Sequence, residues 1–210
     1  MAFVHGKDIV IYVNENNYST YFNNADTART ADIAETTTFG NGSKTYIPGE
    51  KDGTISLTGL FDATADVVMQ PLLGGADLDL IIGENGVATG DRNTFGKGII
   101  NNYAVSSPVG DVVATSIDFQ PDDGLFSGKV LTASAFTTTG AQGSADDNTS
   151  STTNGAGAFL IVTSVSGTSP TGDVKIQHSS DNVTYVDLIT FTQATAGTSE
   201  VKTVAKGTTI

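Results

Sequence analysis

Residues 32–62 read DIAETTTFGNGSKTYIPGEKDGTISLTGLFD, and the last third of this stretch decides the fold class. Ile55, Leu57 and Gly59 alternate with Thr54, Ser56 and Thr58, a period of two that marks a half-buried strand. The strand ends at Leu60 and Phe61. Just upstream, residues 39–51 hold Gly40, Gly42, Pro48 and Gly49, breakers too dense for a regular element, so a long exposed loop is expected there. Nearer the start, Ile9, Ile11 and Val13 alternate with Val10 and Tyr12, which gives a strand apolar on both faces that ends in the polar turn 14–17. Tyr18, Tyr21 and Phe22 then form an aromatic patch before the polar stretch 23–35.

Downstream of Phe61 one helix is expected, with Asp62 or Thr64 as N-cap and Ala65, Val68, Met69 and Leu72 at helical spacing. Pro71 removes a backbone donor and Gly74-Gly75 ends it. Strands follow at 77–82, 98–105, 112–119 and 125–136. Residues 137–155 read TTTGAQGSADDNTSSTTNG and hold no apolar side chain larger than alanine, too little to offset the entropy of ordering them. Beyond them lie apolar runs at 159–165 and 174–177, a turn at 179–182 and a run at 183–191, with a hairpin built from Val174, Lys175 and Ile176 against Tyr185 and Val186. The fold class expected is all-β: a β-sandwich with one flanking short helix over 1–136, a Gly/Ser/Thr-rich linker over 137–156, and a smaller β-sandwich-like module over 157–210.

Composition narrows the function. The 210 residues carry 10 Lys+Arg against 23 Asp+Glu, a net charge of −13, with no Cys, no Trp and two His. A thiolate metal site and a disulfide framework are thereby excluded, and most zinc chemistry with them. No window approaches the roughly 18 apolar residues of a membrane span, and His5, Lys7 and Asp8 interrupt the start where a signal peptide needs an apolar core, so folding in the cytoplasm is expected. Of the charge, net −10 falls within residues 1–136. Such a surface lacks the Lys and Arg that displace counterions from a DNA backbone.

No constellation of catalytic chemistry emerges. The loop 40–45 places Ser43 before Lys44 and Thr38 where a phosphate loop needs glycine, and no helix follows. Asp77, Asp79 and Glu84 are near in sequence, but Ile81 and Ile82 stand where a calcium loop needs an oxygen ligand and a glycine, so a solvated strand face is expected. Asp122-Asp123-Gly124 reads as a β-turn. Neither His5 nor His178 has a serine in a Gly-x-Ser-x-Gly context. No catalytic, metal or cofactor-binding residue is assigned, and no cofactor.

The stretch 32–62 together with the opening KDIVIYVNENNYSTYF resembles the major tail tube protein of long-tailed (siphovirus-type) bacteriophages. The likeness is carried by Glu35-Thr36-Thr37, Phe39-Gly40, Lys44-Thr45-Tyr46 and Lys51-Asp52-Gly53-Thr54, and VKIQHSSDNVTYVDLITF resembles small β-domains appended to such proteins. The resemblance implies a structural virion protein that polymerises as hexameric rings stacked into a tube, assembled in the bacterial host cytoplasm and resident in the phage tail. Its partners would be other copies of itself through ring and ring-stack contacts, other tail proteins, and double-stranded DNA as passing cargo, with no specific DNA binding and no membrane. Phe39, Gly40, Lys44, Tyr46, Ile47 and Pro48 would form the inter-subunit loop. Acids among Asp77, Asp79, Glu84, Asp91, Asp118, Asp122 and Asp123 would face the lumen, Asp77, Asp79 and Glu84 first. A capsid decoration or head-fibre protein and a sugar-binding adhesin module are the alternatives.

Overall fold

The computed structural model describes residues 6–40, 42–142 and 145–210, so His5 and Asn41 lie outside the described residues. It is all-β, with one α-helix. Twelve strands run in chain order: β1 Val10–Val13, β2 Asn16–Asn17, β3 Phe22–Glu35, β4 Tyr46–Leu60, β5 Leu78–Gly83, β6 Arg92–Ser106, β7 Ala114–Pro121, β8 Phe126–Lys129, β9 Ala156–Val162, β10 Lys175–His178, β11 Val186–Thr190 and β12 Thr198–Val204. The helix α1, Ala63–Met69, lies between β4 and β5.

The chain forms two compact units. One takes Thr20–Leu78 and Gly96–Leu125; the other takes the described residues up to Ser19, Asp79–Phe95 and the described residues from Phe126 to Ile210. Strand β6 gives its first four residues to the latter and the rest to the former.

In the unit built around Thr20–Leu78, the second part of β6 pairs with β7, β7 with β4 and β4 with β3, all antiparallel. Alternation sorts its faces. Ile55, Leu57, Ile100, Ile117 and Phe119 are each at most 2% exposed and make the core. The helix starts as the sequence requires: the Asp62 carboxylate accepts from the N–H groups of Thr64 at 2.8 Å and Ala65 at 3.2 Å. Pro71 falls in a following 3-10 turn, Gln70–Leu72, where its missing donor costs nothing. The Tyr103 hydroxyl donates to Asp66 at 2.7 Å and ties α1 to β6. Gly59 lets β3 cross at Phe22, since a Cβ there would lie 2.0 Å from the Tyr21 carbonyl oxygen.

This unit corrects two expectations. Residues 23–35, read only as a polar stretch, are strand β3, and the expected loop 39–51 is strand from Tyr46 onward, leaving only 36–45 as the connection. Pro48 is tolerated because, beyond Ile55, β4 has β3 as its strand neighbour, so one backbone edge there is open and a missing donor breaks no ladder.

In the other unit, β5 is buried along its whole length between β1 and the start of β6, and β8 pairs with β6 from Arg92↔Lys129 to Phe95↔Phe126. Strand β8 stops at Lys129, so most of the strand expected over 125–136 is irregular. Its C-terminal part pairs β9 with β12 and β10 with β11. Ala158, Ile189 and Phe191 form its core, packed by Leu160, Val174, Ile176, Leu188 and Val204. The expected hairpin is present as β10–β11, although Lys175 and Ile176 pair with Thr190 and Ile189 and it is His178 that faces Val186; β12 was not expected, since Thr, Ser, Glu and Lys interleave its valines and blur the period. The Phe159 ring lies 4.9 Å from Phe95, and Phe95 stacks on Phe126 at 5.5 Å, so the C-terminal strands seat on the aromatic face beside β8.

Candidate assembly surface

Beyond Gly53, β3 and β4 leave the sheet as a two-stranded ribbon. The register Ile33↔Pro48, Ala34↔Ile47, Glu35↔Tyr46 puts Ile33, Tyr46 and Pro48 on one face and Ala34 and Ile47 on the other. Ile33 is 65% exposed, Tyr46 50% and Ile47 55%, and Phe39 at the tip is fully exposed. Both faces of the ribbon's distal end therefore hold exposed apolar groups among polar ones, and neither has a core of its own. The tip is nonetheless built: Thr36 N–H donates to the Thr45 carbonyl at 2.8 Å, Thr45 N–H to the Thr37 hydroxyl at 3.1 Å, and Lys44 bridges to Glu35 at 2.9 Å. Lys44, and then the Thr37 hydroxyl, hold the Glu35 carboxyl below its ordinary range. Gly40 takes φ +96, the left-handed region that turns the chain at Phe39. The structure thus brings Phe39, Gly40, Lys44, Tyr46, Ile47 and Pro48 together on the distal part of one hairpin.

The same unit carries a second surface on the face opposite its core. Asp26, Ser56, Asp118 and Asn102 stand in register across four strands. Asp118 accepts from the Ser56 hydroxyl at 2.6 Å and from the Asn102 amide at 2.8 Å, and these two donors, Ser56 first, lower its pKa. Asn24, Thr58 and Ser116 form the adjoining row, and Gln120 donates to Asp52 at 2.9 Å. None of these residues is a cation. It is a water-facing wall of hydroxyls, amides and carboxylates.

The three acids expected first in a lumen go to separate places. Asp77 is exposed and lies 3.9 Å from Lys97. Glu84 is half-buried and accepts from the Thr94 hydroxyl. Asp79 corrects the expectation: it is 8% exposed, because β5 is covered on both faces and not one. Its carboxylate accepts from the Ser199 hydroxyl at 2.6 Å, and its N–H donates to the Asn14 side chain at 3.0 Å. Of the acids named from the sequence, Asp118 does lie on the polar wall. The Thr54, Ser56, Thr58 alternation was its signal; Asp26 and Asn24 were missed because β3 has no apolar period to betray it.

No family model matches the sequence, and none of the curated proteins does. Among solved structures, the chain is similar to one in the virion of a native gene transfer agent particle, with 14% identity and a TM-score of 0.50 over 60% of this chain and 99% of that one. It is also similar to a chain in the tail of an empty gene transfer agent particle with C6 symmetry, at 13% identity and TM-score 0.49 over 59% and 98% of the two chains. For the SPP1 tail tube the figures are 13% and 0.47, over 60% and 80%. At 14% identity, the likeness to the virion chain is one of fold. Among the described residues, no helix is long and apolar enough to cross a membrane.

Proposed function

We propose that this chain is the repeating subunit of a phage-type tail tube, a structural protein whose copies close into rings of six and stack into a conduit for double-stranded DNA. The observation that carries this reading is the pairing, in one unit, of a ribbon whose distal end exposes Ile33, Tyr46 and Ile47 without a core and a sheet face whose Asp26, Ser56, Asp118 and Asn102 row holds no cation. A two-stranded ribbon is marginal in water by itself, so Ile33, Tyr46 and Ile47 call for surface from another copy. The open edges of β3 and of distal β4 call for neighbours too, and ring closure supplies them.

The wall of Asp26, Ser56, Asp118 and Asn102 is the lining in this reading. A duplex slides past carboxylates and amides, whereas Lys and Arg would release counterions and hold it. Asp77 and Glu84 add acid away from that wall, and Asp79 does not take part. Other tail proteins would meet the tube at its ends, in the virion.

Imaging of the purified protein tests the assembly, with hollow tubes expected; trimers would favour a capsid decoration protein and glycan-binding monomers an adhesin. Tubes carrying Asn24→Lys and Asp26→Lys, both exposed positions, test the lining. They should retain duplex DNA at low salt and release it as salt rises, where wild-type tubes retain none. Equal retention in both would place this face elsewhere.

A further inference from the structure

The β9–β12 pair has two faces with different neighbours. Phe159 stands opposite Val201 and Ile161 opposite Ser199, so these four share one face with Gly157, while Ala158, Leu160 and Val204 point the other way. The Ala158 face packs with Ile189, Phe191, Val174, Ile176 and Leu188 into a core made by the C-terminal strands alone. The Phe159 face meets β5, β6 and β8 instead: Phe159 lies 4.9 Å from Phe95, a Cβ on Gly157 would lie 2.6 Å from the Phe126 ring, and the Ser199 hydroxyl donates to Asp79 at 2.6 Å.

The two faces are not equally closed. Ala158, Ile189 and Phe191 are buried, whereas Phe159, Ile161, Ser199 and Val201 are all half-buried. What the Phe159 face covers is nevertheless dry, since Phe95 and Asp79 are both buried. Seating these strands therefore takes water from a carboxylate and returns a hydroxyl donor, while their own apolar groups stay partly wet. The covalent attachment adds little restraint. Thr152 and Ile210 each donate an N–H to the other's carbonyl at 2.9 Å, and Gly207 N–H donates to the Thr153 carbonyl at 2.8 Å, so the chain from Thr152 onward belongs with the C-terminal strands. Upstream, residues 137–151 hold no apolar side chain larger than alanine, and Asp146 is tied to Lys129 by an exposed ion pair, a kind that contributes little.

We infer that residues 152–210 form a latch, a module with its own core that lifts as one piece from the seat made by Asp79, Phe95 and Phe126 and settles back on it, with residues 137–151 as the tether. Lifting rewets Asp79 and the half-buried Phe159 face, yet it breaks no backbone pairing within β9–β12 or β10–β11 and leaves the Ile189 core closed. It is therefore a local opening well short of unfolding. The chain has two states as a result, one with the aromatic seat covered and one with it open to water. This goes beyond the tail-tube reading and does not depend on it, because a lone copy holds every part of the latch.

The chain has no cysteine, so single engineered thiols report opening without background. Three variants of the full chain carry one each: Asp79→Cys in the seat, Ile189→Cys in the module's own core, and Ile117→Cys in the core of the other unit. With a maleimide under native conditions, where modification follows the population of the open form, the thiol at position 79 should react roughly tenfold faster or more than those at 189 and 117. Adding Phe159→Leu, which removes the ring that meets Phe95, should raise the rate at 79 by about tenfold again and leave the rates at 189 and 117 unchanged. Ser199→Cys, a gentler exchange, reads the same seat from the module's side and should respond to Phe159→Leu in the same way, which keeps the test intact should Asp79→Cys fail to fold. One common rate at 79, 189 and 117 would mean that the seat opens only on unfolding, and equal fast rates at 79 and 189 would mean that the module melts in place of lifting. Either result, or seat rates that ignore Phe159→Leu, would overturn the latch.

Discussion

Asp181 shows how a single side chain organises an exposed turn. It accepts from Thr184 N–H at 2.7 Å, from Val183 N–H at 2.9 Å and from the Ser179 hydroxyl at 2.9 Å, and these donors, in that order, lower its pKa from 3.8 to about 2. Because the folded value is depressed, what this carboxylate contributes is present above the unfolded pKa and is lost as pH falls through about 2. Carbon-detected titration should find Asp181 ionised at pH 3; a midpoint near 3.8 would contradict these bonds. Asp79 lies at the other extreme, buried with a hydroxyl from β12 as donor. Ser199→Ala leaves that carboxylate short of a partner and should cost about 1–3 kcal/mol in thermal denaturation. No change in stability would mean that Asp79 finds water instead. Alternation with Leu78 and Leu80 made Asp79 look solvated, because a period of two tells which residues share a face and not whether that face is covered.

Among the elements, legibility followed apolar content. Strand β1, the inner half of β4, the helix with its Asp62 cap and the β10–β11 hairpin could be placed from the sequence because each carries either a clean period or a turn with its own chemistry. The strand β3 could not, since over Asn23 to Glu35 its only large apolar residue is Ile33 and its structure comes from pairing with β4. The outer half of β4 was hidden by Pro48 and Gly49, breakers that an open edge accommodates. This ribbon is where assembly should be most sensitive. Removing residues 40–45 should leave a folded monomer that no longer polymerises, checked by circular dichroism and sedimentation; normal tubes from that deletion would refute the role of the tip. Gly157 gives the matching test on the C-terminal strands. A Cβ there would lie 2.6 Å from the Phe126 ring, so Gly157→Val should loosen the Phe95–Phe126–Phe159 stack, with Phe126 the ring whose nuclear magnetic resonance signals shift most.

At the scale of the whole chain, residues 137–155 remain the proposed linker to the C-terminal strands, which share one compact unit with β1, β5 and β8. Limited proteolysis should cut there first, and the two pieces should stay together through the Phe95–Phe159 and Asp79–Ser199 contacts. Protection of that segment would contradict the linker. With a net charge of −13 per copy, a stack of copies concentrates like charge, so assembly should strengthen as salt shortens the Debye length from about 30 Å at 0.01 M to about 10 Å at 0.1 M. Turbidity against ionic strength checks the sign, and assembly that weakens with salt would point to attraction between charges as the main force. In the proposed tube, the cation-free row of Asp26, Ser56, Asp118 and Asn102 across the β6–β7–β4–β3 sheet lines the channel. A helical reconstruction of the assembled protein tests it most directly: Asp26, Ser56, Asp118 and Asn102 should border an open lumen wide enough for a DNA duplex, and finding that row packed against a neighbouring copy or on the outer surface would contradict the account.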